Sequence, residues 1–142
     1  PEIVICNAVD DRHIDHGKGS KLVSDACFLS GLQKIETDFE GEKQEKWRPK
    51  LVYNYMQWKN TEPDFVVDVS GFIDIKMEAV LAYSSQFYDP NSKELETPIS
   101  SKNFTDSIQY RAKELGRLIG VDHAEGFTVE RSIAVTSLDK LI

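Results

Sequence analysis

The chain carries a continuous apolar run, Ile3-Val4-Ile5-Cys6, that leads straight into a loop dense in acids and histidines. Four adjacent apolar residues without alternation read as a strand buried on both faces, inside a parallel sheet and under covering helices. Such a strand needs neighbours on each side. A chain that begins on its central strand is therefore expected to be the later part of a longer fold. Beyond the loop, apolar residues at 22, 23, 26, 29 and 32 repeat with helical spacing. A helix is expected over 21–32, with a start as early as His16 and Gly31 near its end.

The rest of the chain continues to alternate. Residues 34–50 hold five acids and five bases and little core material, and read as a solvated loop or lid. Strands are expected over 51–58, rich in Tyr, Val and Trp, and over 64–69, where Phe65, Val67 and Val69 share one face. With the turn Thr61-Glu62-Pro63 between them, these two could pair as a hairpin. Ser70 is a candidate N-cap for a helix over 72–84, with Asp74 in its first turn. Residues 87–103 read as a loop. The strongest helical pattern spans 103–119, with apolar positions 104, 108, 112, 115 and 119, a capping box on Asn103 and Asp106, and Gly120 as its stop. A last strand is expected over 127–135. Strands alternating with helices predict an α/β fold with a mainly parallel sheet flanked by helices.

Charge narrows the function. The chain has 24 acids against 17 bases, a formal net charge of −7, which disfavours nucleic-acid partners. No apolar run approaches the ~20 residues that a membrane span needs. No basic segment followed by an apolar stretch opens the chain, so a cytoplasmic location is expected. Cys6 and Cys27 both lie in apolar contexts and read as reduced core thiols.

Chemistry concentrates in Asp10-Asp11-Arg12-His13-Ile14-Asp15-His16, between the first strand and the first helix. In open α/β sheets, ligands bind at the carboxyl ends of strands, where this loop lies. Imidazole and carboxylate groups together are zinc-ligand chemistry. A merely solvated loop has the same composition, and two histidines three apart occur by chance. The remaining histidine, His123, is distant in sequence, so a full set of zinc ligands is not expected from this chain alone. Gly17-Lys18-Gly19-Ser20 lacks the spacing of a phosphate loop, and its glycines read as helping the loop enter the helix. No Ser or Cys stands in a nucleophile elbow. A phosphatase using His and Asp ligands is disfavoured by the acidic charge and the lack of a basic cluster.

The segment Arg12-His13-Ile14-Asp15-His16 resembles the Arg-His-Pro-Asp-His motif of the zinc-dependent N-acetylglucosaminyl deacetylases of the PIG-L/LmbE-like family, closest to the bacillithiol-biosynthesis deacetylases. Three later stretches are similar: residues 76–86, the Arg111-containing helix, and Gly120-Val121-Asp122-His123-Ala124-Glu125-Gly126-Phe127. The resemblance implies a Rossmann-like fold in which His16 is a zinc ligand. It implies that His13 stabilises an oxyanion or donates a proton and that Asp15 orients a neighbouring imidazole, making these two the catalytic candidates. It assigns Arg12 and His123 to substrate binding. Ile14 departs from the usual proline, and His123 stands where a tyrosine is expected. The family's His-Pro-Asp-Asp motif, which supplies two metal ligands and the general base, does not occur in these residues.

The expectation is that residues 1–142 form the C-terminal portion of one deacetylase domain. The parent would be a zinc hydrolase that deacetylates an N-acetylglucosamine conjugate, N-acetylglucosaminyl malate in bacillithiol biosynthesis. It is expected to have a small-molecule amino-sugar substrate, no nucleic-acid or membrane partner, and a homo-oligomeric state. With half of the site missing, the chain as given is expected to be inactive. The other reading is a non-catalytic α/β domain whose metal site is degraded or absent.

Overall fold

The computed structural model describes residues 1–141. In chain order the elements are β1 (Ile3–Cys6), α1 (Ile14–Leu29), β2 (Asp38–Phe39), β3 (Glu42–Lys43), β4 (Leu51–Tyr55), β5 (Phe65–Asp68), α2 (Ile73–Leu81), α3 (Lys102–Ile119) and β6 (Ala124–Val129), followed by a 3-10 turn at Leu138–Lys140. They divide into two compact units, 1–65 with the segment from Phe127 onward, and 66–126.

The main sheet has the order β1-β4-β6-β5, and it corrects the expectation of a mainly parallel, Rossmann-like arrangement. β1 and β4 pair in parallel, Ile3 opposite Leu51 through Cys6 opposite Asn54. β6 runs antiparallel to β4, with Tyr53 opposite Val129 and Tyr55 opposite Phe127. The bonds from Asp64 N–H to Phe127 C=O and from Val69 N–H to His123 C=O set β5 and β6 in opposite directions. The sheet is therefore mixed and mostly antiparallel. A crossover through one helix returns a chain parallel to the strand it left. Here two helices separate β5 from β6, and the chain comes back the other way. The expected hairpin of β4 with β5 is absent as well, because β6 lies between them.

β1 is also not doubly buried. It ends the sheet order, and Ile3 and Ile5 are 51% and 57% exposed while Cys6 is buried. Successive side chains point to opposite faces of a strand, so one face of the run is covered and the other is not. The first unit gathers an aromatic cluster on its sheet. Phe65 meets Tyr53 edge-on at 4.9 Å and stacks on Phe127 at 5.4 Å. Residues 34–50, expected as loop, hold the small β2–β3 hairpin, turned at Glu40 and Gly41 with φ of 55° and 85°. α1 begins earlier than the periodicity predicts, and Leu22, assigned to its apolar face, is exposed.

In the second unit, α3 buries Thr105, Ala112, Leu115 and Gly116. Ser101, not Asn103, is its N-cap: the Ser101 Oγ accepts from Phe104 N–H at 3.2 Å, and Asp106 pairs with Lys102 instead. Gly120 closes the helix in the left-handed region at φ 76°, as its sequence position predicts. α2 is shorter than expected and starts after Phe72. Ser70 does not cap it, and its hydroxyl donates to Asp68 instead.

Candidate functional site

Asn54 anchors the histidine loop. It is 1% exposed, and its Nδ2 donates to Asn7 C=O at 2.7 Å and to Ser20 Oγ at 2.8 Å, with Cys6 Sγ at 3.2 Å. One side chain on β4 thus ties together the end of β1, the start of the loop and helix α1. Gln57 Oε1 accepts from Ala8 N–H at 3.2 Å and from Asn7 Nδ2 at 3.4 Å. The glycines expected in the loop lie inside α1, where they allow close approach: a Cβ at Gly17 would stand 2.9 Å from Val9 C=O.

Asp11 is the centre of the site. Its carboxylate is fully covered, and His16 is about one-third exposed. Asp11 Oδ2 lies 2.5 Å from His16 Nδ1. Asp11 Oδ1 accepts from the backbone N–H of Trp58 at 3.1 Å and of Lys59 at 2.9 Å. Burial pushes the Asp11 carboxyl up. The hydrogen bonds from Lys59, His16 and Arg12 outweigh it and hold the group below the usual aspartate range. The flanking residues add two ties to the same segment. The Arg12 guanidinium lies over the Trp58 ring at 5.1 Å, and Lys59 Nζ pairs with Asp10 at 2.7 Å.

His13 is the N-cap of α1. Its Nδ1 accepts from Asp15 N–H at 3.3 Å, and its ring centroid lies 5.6 Å from that of His16. Asp15 is exposed, with its carboxylate 3.7 Å from His13 Nδ1. Four of the five expected site residues, Arg12, His13, Asp15 and His16, thus fall within one turn of chain. Asp11, to which the sequence reading gives no role, is the carboxylate on His16. The fifth expected residue, His123, belongs to the second unit. Its N–H donates to Ser70 Oγ at 3.1 Å, and its Nδ1 is buried with no hydrogen-bond partner among the described residues. Glu125 nearby pairs with Lys76.

A metal site needs several converging donors. Among the described residues, no three His, Cys, Asp or Glu side chains come together in a group that could hold an ion. The residues present therefore do not by themselves fit a resident zinc. The two cysteines are free, and burial pushes both thiols up; Cys6 lies in the core as expected, whereas Cys27 is only half-buried.

No family model matches the chain. Solved structures do. The conserved protein TT1542 from Thermus thermophilus is similar at 28% identity and a TM-score of 0.79, over 97% of this chain and 56% of that one. The N,N'-diacetylchitobiose deacetylase from Pyrococcus horikoshii is similar at 18% identity and a TM-score of 0.67, over 100% of this chain and 51% of that one. GalB, the 4-carboxy-2-hydroxymuconate hydratase from Pseudomonas putida, is similar at 16% identity and a TM-score of 0.65, over 97% and 55%. The chain spans about half the length of these structures. The similarity is distant and one of fold. It shows an α/β fold shared with these proteins and assigns no particular family. A deacetylase and a hydratase share the architecture, so the reaction has to be argued from the site. Among the described residues, no helix is long and apolar enough to cross a membrane.

Proposed function

We propose that this chain is an α/β domain with an incomplete metal site, non-catalytic in the residues given. One observation carries the reading: His16 is oriented by a buried carboxylate, yet no third donor joins it among the described residues. A lone imidazole holds zinc weakly, because catalytic zinc takes three protein ligands. The test is a zinc titration followed by calorimetry, with acetate release measured on N-acetylglucosaminyl malate and N,N'-diacetylchitobiose. Weak zinc binding that is lost in His16→Ala, with no acetate released, is the expected result. Tight stoichiometric zinc with turnover by this chain alone would overturn it.

A second reading has its own support in the Asp11–His16 pair. Carboxylate–imidazole pairs of this kind commonly fix the tautomer and orientation of metal-bound histidines. The likeness to a deacetylase fold points the same way. On this reading, further ligands from a longer protein complete the site, and the whole is a zinc-dependent hydrolase that deacetylates an amino-sugar conjugate. The bacillithiol precursor is its proposed substrate and the cytoplasm its proposed location. Within this chain, His16 would be the metal ligand. His13 would offer a hydrogen bond to the substrate carbonyl, Asp15 would orient the His13 imidazole, and Arg12 and His123 would bind substrate. If a longer protein showed metal-dependent deacetylation that survived His16→Ala, this second reading would be lost.

A further inference from the structure

We propose that Asp11 is the positioning residue of the histidine pair. With the amides of Trp58 and Lys59 holding one of its oxygens, the other fixes His16 as the Nδ1–H tautomer and leaves Nε2 as a free lone pair. The geometry requires this polarity. Both Asp11 oxygens are acceptors, since Oδ1 takes the Trp58 and Lys59 N–H groups and Oδ2 lies 2.5 Å from His16 Nδ1. A neutral imidazole with a proton on Nδ1 has none on Nε2. His13 is set the opposite way. Its Nδ1 accepts the Asp15 N–H at 3.3 Å, which leaves Nε2 as the protonated nitrogen. Two rings with centroids 5.6 Å apart therefore present one acceptor and one donor. Such a pair suits a group that must be both held and polarised: a ligand lone pair on one side and a hydrogen bond on the other.

The segment after β4 then has a role of its own. The Trp58 and Lys59 amides keep the Asp11 carboxylate from rotating, and the Arg12–Trp58 and Lys59–Asp10 contacts brace the same two stretches. This deepens the reading of His16 as a ligand and rests on it for its purpose, though the tautomer itself is independent of any metal.

The experiment is a long-range proton–nitrogen correlation spectrum of the 15N-labelled chain, recorded above the imidazole titration range. Only three histidines need assignment. In the wild type, His16 should appear as Nδ1–H and His13 as Nε2–H. Asp11→Asn is isosteric. Its carbonyl can keep the two backbone donors, and its amide then donates to His16 Nδ1, so His16 should invert to Nε2–H while His13 stays unchanged. A wild-type His16 found as Nε2–H overturns the proposal, and so does an Asp11→Asn spectrum with His16 unchanged. The wild-type spectrum decides the matter even if the variant folds poorly. A zinc titration of the same sample separates the two claims: the expected tautomers with no zinc binding would sink the ligand reading and leave the positioning role intact.

Discussion

Asn54 is the residue whose loss should be felt furthest. Its two amide hydrogens serve acceptors on the loop and on α1, in a buried place that water does not reach. Asn54→Leu fills the volume but abandons Asn7 C=O and Ser20 Oγ. Each buried polar group left unsatisfied costs about 1–3 kcal/mol. Urea unfolding should show a loss of that order, and the His13 and His16 resonances should broaden as the loop is released. A loss under about 0.5 kcal/mol, the scatter of surface substitutions, would contradict this account. At this scale the sequence is partly legible. Two histidines and three acids in seven residues mark the loop as chemical. Asp11 cannot be told from Asp10 or Asp15 there, because its role depends on the backbone of Trp58 and Lys59, far off in sequence.

Helix α3 shows what local pattern can and cannot settle. Its C-terminal stop at Gly120 is readable because a left-handed residue there is a local requirement. Its N-cap is not, since Ser101 and Asn103 are both good caps and the choice falls to the turn Thr97–Ser101 that precedes the helix. Nothing in the sequence singles out Gly116. A Cβ there would stand 2.6 Å from Val121 C=O and 2.9 Å from the backbone of Asp122 and His123. Gly116→Ala should therefore destabilise despite its better helix propensity, by about 1–3 kcal/mol as overpacking does. Thermal melts against Gly71→Ala, where a Cβ would meet nothing within 4 Å, would reveal the contrast. An unchanged melting point in Gly116→Ala would refute the close approach.

For the whole molecule, the alternation of strands and helices is legible and the sheet is not. Strand order and direction come from pairings such as Tyr55 with Phe127, which no local window contains. In the chain as given, the apolar run of β1 stands at the end of the sheet order with Ile3 and Ile5 exposed. Edges of this kind template pairing with further chains. Ile5→Lys should leave stability within about 0.5 kcal/mol, as surface changes do. It should also lower self-association in sedimentation velocity, and association equal to that of the wild type would count against the edge as its source. A last consequence lies in how the chain enters and leaves its first unit. It departs at Phe65 and returns at Phe127, and there Asp64 N–H already bonds Phe127 C=O at 2.9 Å. Topologically, residues 66–126 are a loop closed at its neck. Closure entropy grows only with the logarithm of loop length, about 0.6 kcal/mol per doubling. The connection between α2 and α3 inside it can therefore lengthen or shorten at small entropic cost.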